Sequence, residues 1–153
     1  MPEDIPVYAP LWVELTEYVL TGQVATTWEI YQEMCHIPGA FGDCVRANKG
    51  LLVMEVGDST WAFSHYISHY KRMQMQYHGF ISEYAHRGSK KTIGLRDLTI
   101  IALAKTLGIP VVSMEVSVLH SPSKRRIPDI CKLEGVPHHT FNDFLRLEGI
   151  GGR

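Results

Sequence analysis

The sequence predicts an α/β protein, a three-layer α/β/α domain around a mainly parallel sheet. Short apolar runs suited to strands alternate with segments of helical periodicity along the whole chain. The 153 residues, 45% hydrophobic and 20% charged, suffice for one ordinary core, so a single domain over 1–153 is expected. No internal repeat, low-complexity segment or long linker interrupts the alternation.

Taken in order, Pro10 suits the first turn of a helix whose buried face uses Leu11, Leu15, Tyr18 and Val19, and Gly22 stops it. QVAT reads as a very short strand. Thr26 and Glu29 have capping-box spacing and open a second helix, TWEIYQEMC. Residues 38–50 read as a loop with one helical turn, and LLVME as the next strand. GDST then caps a long helix with Phe63, Ile67, Tyr70 and Tyr77 on one side, and a further helix covers GFISEYAH.

The clearest signal is LRDLTIIALAKTLGIPVVSME, residues 95–115. Ile100, Ile101, Ala104 and Leu107 recur at helical spacing between Asp97 and Gly108, which predicts an amphipathic helix of about 11 residues burying one face. Pro110 opens a buried strand of Val111 and Val112, ended by Ser113-Met114-Glu115. After the basic loop HSPSKRR come a short helix in IPDICKLEG and a last strand in VPHHT. A closing helix in FNDFLRLEG offers Phe141, Phe144, Leu145 and Leu147 for packing, and GIGGR reads as a flexible tail.

Composition narrows the function classes. A formal net charge of −1 argues against a generally basic nucleic-acid coat, although local patches can bind phosphate. Three cysteines without a CxxC pair fit neither a disulfide framework nor a cysteine zinc site, and point to a reducing, cytoplasmic setting. No run approaches about 18 apolar residues, and MPEDIPVYAP lacks a signal core, so a soluble, unexported protein with no membrane partner is expected. GSKKT lacks the spacing and preceding strand of a Walker sequence, and His65 and His69 lack a surrounding HExxH. His138 and His139 would point to opposite faces of a strand, and Cys35-His36 has no third orienting group.

The acids are more informative. In an open parallel sheet the helix entrances and the strand carboxyl ends share one edge, where ligands bind, so Asp97 and Glu115 are placed to face each other. Each also has a structural use, Asp97 as a helix cap and Glu115 as a solvated loop residue. Glu29 serves the capping box. Glu33, one turn on, is either an exposed helix glutamate or a site residue.

IYQEM, LRDLTIIALAKTLGIPVVSME and KRRIPDICKLEGVPHHTFNDFLRLEG together resemble an uncharacterised prokaryotic family of PIN-like domains. The resemblance spans nearly the whole chain, with its most specific motifs in the C-terminal part and its weakest over 38–90. PIN domains are metal-dependent ribonuclease folds that include many toxins of toxin-antitoxin modules. The resemblance implies Glu33, Asp97 and Glu115 as catalytic, metal-binding acids, with Asp129 as a fourth ligand or a helix cap. Three gathered carboxylates repel unless a hard cation neutralises them, so Mg²⁺ or Mn²⁺ is the expected cofactor, activating a water and stabilising the leaving oxygen. RNA is the expected partner, with an antitoxin protein or a second copy of the chain as further ones. Arg87, Lys90, Lys91 and Arg96 in one loop, and Lys124, Arg125 and Arg126 in another, either hold the phosphate backbone or are solvated.

PIN-like proteins begin with an apolar strand ending in Asp followed by Thr or Ser. This sequence opens at MPEDIPVYAPLW, which resembles the segment after that strand, and Asp4 does not replace the acid. The resemblance thus implies a PIN-like domain without its first strand, truncated at the N-terminus or degenerate. It implies one of two functions: a metal-dependent endoribonuclease, as in the toxin of a toxin-antitoxin module, or a PIN-like binding or regulatory module without hydrolysis.

Overall fold

The computed structural model describes residues 9–84 and 92–151. It is a mainly helical α/β structure with, among the described residues, eight α-helices and one two-stranded parallel sheet. The elements are α1 (Ala9–Leu20), α2 (Trp28–Met34), α3 (Gly39–Ala47), α4 (Lys49–Leu52), α5 (Phe63–Gln76), α6 (Leu95–Leu107), β1 (Val111–Ser113), α7 (Ile127–Glu134), β2 (His138–Thr140) and α8 (Phe141–Leu147). None of the described helices is long and apolar enough to cross a membrane. Two compact units form, one from residues up to Glu55 with those from Asn142 onward, the other from Val56–Phe141.

In the first unit α1 behaves as its periodicity predicts: Leu11, Leu15 and Val19, four residues apart, are buried. Gly22 leaves the helix at φ 78°, a left-handed conformation that favours glycine. The cap of α2 is Thr27 and not Thr26, since the Thr27 Oγ1 accepts the Ile30 N–H at 3.4 Å. Thr26 is instead engaged through its backbone, donating to Leu52 O (2.8 Å) and accepting from Met54 N (3.0 Å) in a single parallel bridge with Val53. The strands expected in QVAT and LLVME therefore shrink to this one bridge, and Leu51 and Leu52 are helical. A short apolar run carries no period of its own. Here burial of Leu52 and Val53 beside Val19, Tyr31 and Val45 is satisfied by one helical turn.

Residues 38–50, expected as a loop with one helical turn, instead hold α3 and the start of α4. Gly42 permits it: a Cβ there would lie 1.7 Å from Ile37 O. Arg46 clamps the same turn, donating through Nη1 to Cys35 O (2.7 Å) and Ile37 O (2.9 Å). Gly42→Ala is expected to cost about 1–3 kcal/mol, because the obstacle is backbone that a rotamer change cannot remove. Urea unfolding checks it, and a midpoint equal to wild type would contradict so close an approach. The tail also differs from expectation through Gly151: Ile150 is buried and Gly151 N donates to Glu14 Oε2 at 2.7 Å.

In the second unit α5 buries Tyr66 and Met73, and Tyr77 just past its end is buried as expected, while Phe63, Ile67 and Tyr70 are only half-buried. Aromatic and aliphatic residues occupy two adjoining stripes of this helix, and packing against α6 selects one. Helix α6 is not one-faced: Leu98, Thr99, Ile101, Ala102, Leu103 and Ala104 are all buried, as fits a helix packed by α5, α7 and β1. Its small alanines let neighbours approach on more than one side. Gly108, at φ 69°, ends it. Strand β1 pairs in parallel with β2, with Val111 opposite His138, Val112 opposite His139 and Ser113 opposite Thr140, and α7 lies in the crossover.

The larger parallel sheet expected from the sequence is thus, among the described residues, two strands and two isolated parallel bridges. GFISEYAH is not one helix. It makes 3₁₀ turns at His78–Phe80 and Ser82–Tyr84, and the Ser82 N–H donates to Ile93 O at 2.8 Å in place of a helical bond; residues 85–86 lie outside the described part.

Candidate functional site

The N-terminus of α6 draws two carboxylates. Asp97, in the first turn, accepts the Gly94 N–H through Oδ2 at 3.0 Å. Glu83 accepts the Leu95 N–H, with both oxygens at 3.1 Å. Free N–H groups and the helix dipole favour negative charge at this position, so both acids have a local reason to be there. Nothing in the sequence marked Glu83, which arrives from a separate turn 12 residues upstream.

The exit of β1 and the entrance of α7 form the second part. Glu115 accepts the Ile127 N–H through Oε2 at 2.8 Å. The Glu115 N–H in turn reaches Ser113 Oγ at 3.3 Å, and that oxygen lies 2.6 Å from His138 Nε2. Asp129 is fully buried and fills the capping role: its oxygens accept from Ser117 Oγ, Val118 N (3.0 Å to Oδ2) and Arg126 N (2.9 Å). Burial pushes its carboxyl up, but the Ser117 hydroxyl, the two N–H groups and the Arg125 charge outweigh this, and its pKa is lowered.

The basic residues divide. Arg96 is exposed, whereas Lys124 and Arg126 are half-buried. Arg125 is turned onto its own loop, donating to Ser121 O (2.8 Å) and Lys124 O (2.6 Å) with its guanidinium 4.5 Å over the Phe80 ring. Arg87, Lys90 and Lys91, like Asp4, lie outside the described residues.

A cluster that sequence reasoning missed ties α5, α6 and α7 together. Glu134, 3% exposed at its side chain, accepts bonds from both terminal nitrogens of Arg72, from the Tyr77 hydroxyl and from Lys105 Nζ (3.1 Å). Burial raises its pKa, yet the bonds from Arg72, Tyr77 and Lys105 outweigh burial and bring it down to about 2. Burial and the Glu134 charge push Tyr77 up to about 12. One signal was available: Glu134 directly precedes Gly135 at the C-terminus of α7, where the helix dipole disfavours an acid, so cations from elsewhere had to be present. Cys131 is no nucleophile, since burial pushes its thiol to about 12.

Glu33 is exposed on α2 and belongs to the first unit; Asp97, Glu115 and Asp129 belong to the second. Within neither unit do the described residues gather three His, Cys, Asp or Glu side chains around one point. Asp97 at the α6 entrance and Glu115 at the α7 entrance carry carboxylates, the oxygen donors that suit a hard cation. Asp129 does not fit: it is buried and its oxygens are taken by four donor contacts.

A family model described as "Domain of unknown function (DUF4411)" matches residues 4–151. No curated protein and no solved structure matches the chain.

Proposed function

We propose that this chain, which belongs to the DUF4411 family of domains of unknown function, is a metal-dependent endoribonuclease of PIN type. One observation carries the reading. Helix α6 ends at Gly108, is followed by β1 and contacts it, and in a parallel α/β unit this order sets the helix entrance, here with Asp97, at the same edge as the strand exit, here before Glu115. That is the edge at which parallel α/β units bind ligands. The strand pair and the isolated bridge of the second unit are parallel, the sense of pairing that a PIN-like sheet would have.

In this reading Asp97 and Glu115 hold Mg²⁺ or Mn²⁺, and Arg96, Lys124 and Arg126 draw the RNA backbone to them. The bound cation supplies an activated water and charge for the leaving oxygen. The backbone bonds of both acids fix where their carboxylates stand before substrate arrives, which lowers the ordering needed in the reaction. An antitoxin protein that covers this edge would be the corresponding regulator.

Asp97→Asn and Glu115→Gln are each expected to lower Mn²⁺-dependent RNA cleavage at least about 100-fold while leaving the melting temperature nearly unchanged, since shape persists and only charge is lost. Glu33→Gln, in the first unit, is measured beside them. Cleavage that survives EDTA, or that both second-unit variants retain, rejects the proposal. A second reading, a PIN-like binding module without hydrolysis, is favoured by the engagement of Asp97 and Glu115 with backbone N–H groups. It predicts metal-independent RNA or protein binding by the wild-type chain.

A further inference from the structure

We propose that His138 is a positioning residue for Glu115, acting through Ser113; the inference rests on the nuclease reading only for its catalytic consequence. The two side chains approach because β1 and β2 are parallel with Val111 opposite His138, which sets Ser113 on the same face two residues further along β1. Ser113 Oγ and His138 Nε2 are 2.6 Å apart. A lone serine hydroxyl rotates freely, but this oxygen is pinned between two partners, the imidazole and the Glu115 N–H at 3.3 Å. The chain beyond the strand is therefore turned over the Ser113 hydroxyl, and this turn aims the Glu115 side chain at the α7 entrance, where Oε2 meets the Ile127 N–H at 2.8 Å. Four groups act in series: imidazole, hydroxyl, main-chain amide and carboxylate.

Without the imidazole the hydroxyl has one partner fewer and several rotamers, so the turn loosens and the carboxylate samples more positions. Met114 and Val116, the neighbours of Glu115, are exposed at 78% and 69%, so their packing cannot hold the turn in the histidine's place. The arrangement also explains why one of two adjacent histidines would matter: along β2 they alternate in direction, and only His138 is directed to Ser113.

The test uses the full chain in four forms: wild type, Ser113→Ala, His138→Leu and His138→Gln, the last able to offer an amide nitrogen near the Nε2 position. Amide hydrogen exchange of Glu115 and Ile127 reads positioning without any activity. Both amides should exchange about tenfold faster in Ser113→Ala and His138→Leu, and close to wild type in His138→Gln. The double change Ser113→Ala with His138→Leu should add no more than either alone, as expected for groups acting through each other. Mn²⁺-dependent cleavage, measured in parallel, should show a fall in kcat with KM unchanged for His138→Leu, and recovery in His138→Gln. Unchanged exchange at both amides in His138→Leu overturns the proposal, as do additive effects in the double variant. The predicted exchange pattern in a wild-type chain that cleaves no RNA overturns the nuclease reading and upholds the positioning role.

Discussion

Replacing Glu134 by Ala should destabilise the protein by about 3 kcal/mol. The change removes one carboxylate that serves three donors from two other helices: Arg72 and Tyr77 on or just beyond α5, and Lys105 on α6. Loss of a buried partner costs about 3–5 kcal/mol when the remaining charge stays buried. Arg72 and Lys105, with side chains 41% and 30% exposed, can turn toward water, which places the cost at the lower end. Tyr77 cannot do so, and its buried hydroxyl is left without its acceptor.

The same group sets an acid dependence. Its folded pKa, about 2, lies below the ordinary 4.5, so its contribution is complete above about pH 4.5 and is lost as pH falls toward 2. The shift corresponds to about 3 kcal/mol. Tyr77 acts at the opposite end: its pKa is raised to about 12, so the stability it contributes is present below pH 10 and is lost as pH rises through 12. Urea unfolding of wild type and Glu134→Ala between pH 2 and pH 7 should show two curves about 3 kcal/mol apart at pH 7 that converge in acid. Parallel curves would show that this carboxylate is not the titrating group.

Asp129→Ala should also lower stability, by about 2–4 kcal/mol, and should do so whether or not any cation is present. A lost helix cap alone costs about 0.5–2 kcal/mol, and each buried donor left unsatisfied adds about 1–3. Asp129 serves Val118 N, Arg126 N and the Ser117 hydroxyl, which join the loop after β1 to the start of α7. Its lowered pKa makes this contribution fall away as pH drops. Thermal melting with and without Mn²⁺ separates its roles. An equal loss in both conditions is expected from a cap, whereas a loss appearing only with Mn²⁺ would make Asp129 a ligand.

These residues show how much of the site was legible. Asp97 and Glu115 stood out because each sits at the boundary of a strongly patterned element, and boundaries are written in local chemistry. Asp129 could be read either as cap or as ligand; its four donor contacts, three of them from residues 117 and 118, decide for the cap. The partners of Glu83, Glu134 and Ser113 were hidden, since they lie 12, 29 to 62, and 25 residues away. No spacing rule connects such positions.

The sequence by itself determined α1, α6 and α7, because caps, glycine stops and the 3.6-residue period act within one or two turns of the chain, and it marked the segments of β1 and β2 without their register. Tertiary structure decided the rest. It made Leu51 and Leu52 helical where their apolar run suited a strand, and chose Tyr66 over the neighbouring stripe of α5. It also surrounded α6 where its pattern suggested one buried face, and assembled cations around Glu134. In each case local preferences were close to balanced or silent, and burial against residues distant in the chain supplied the difference.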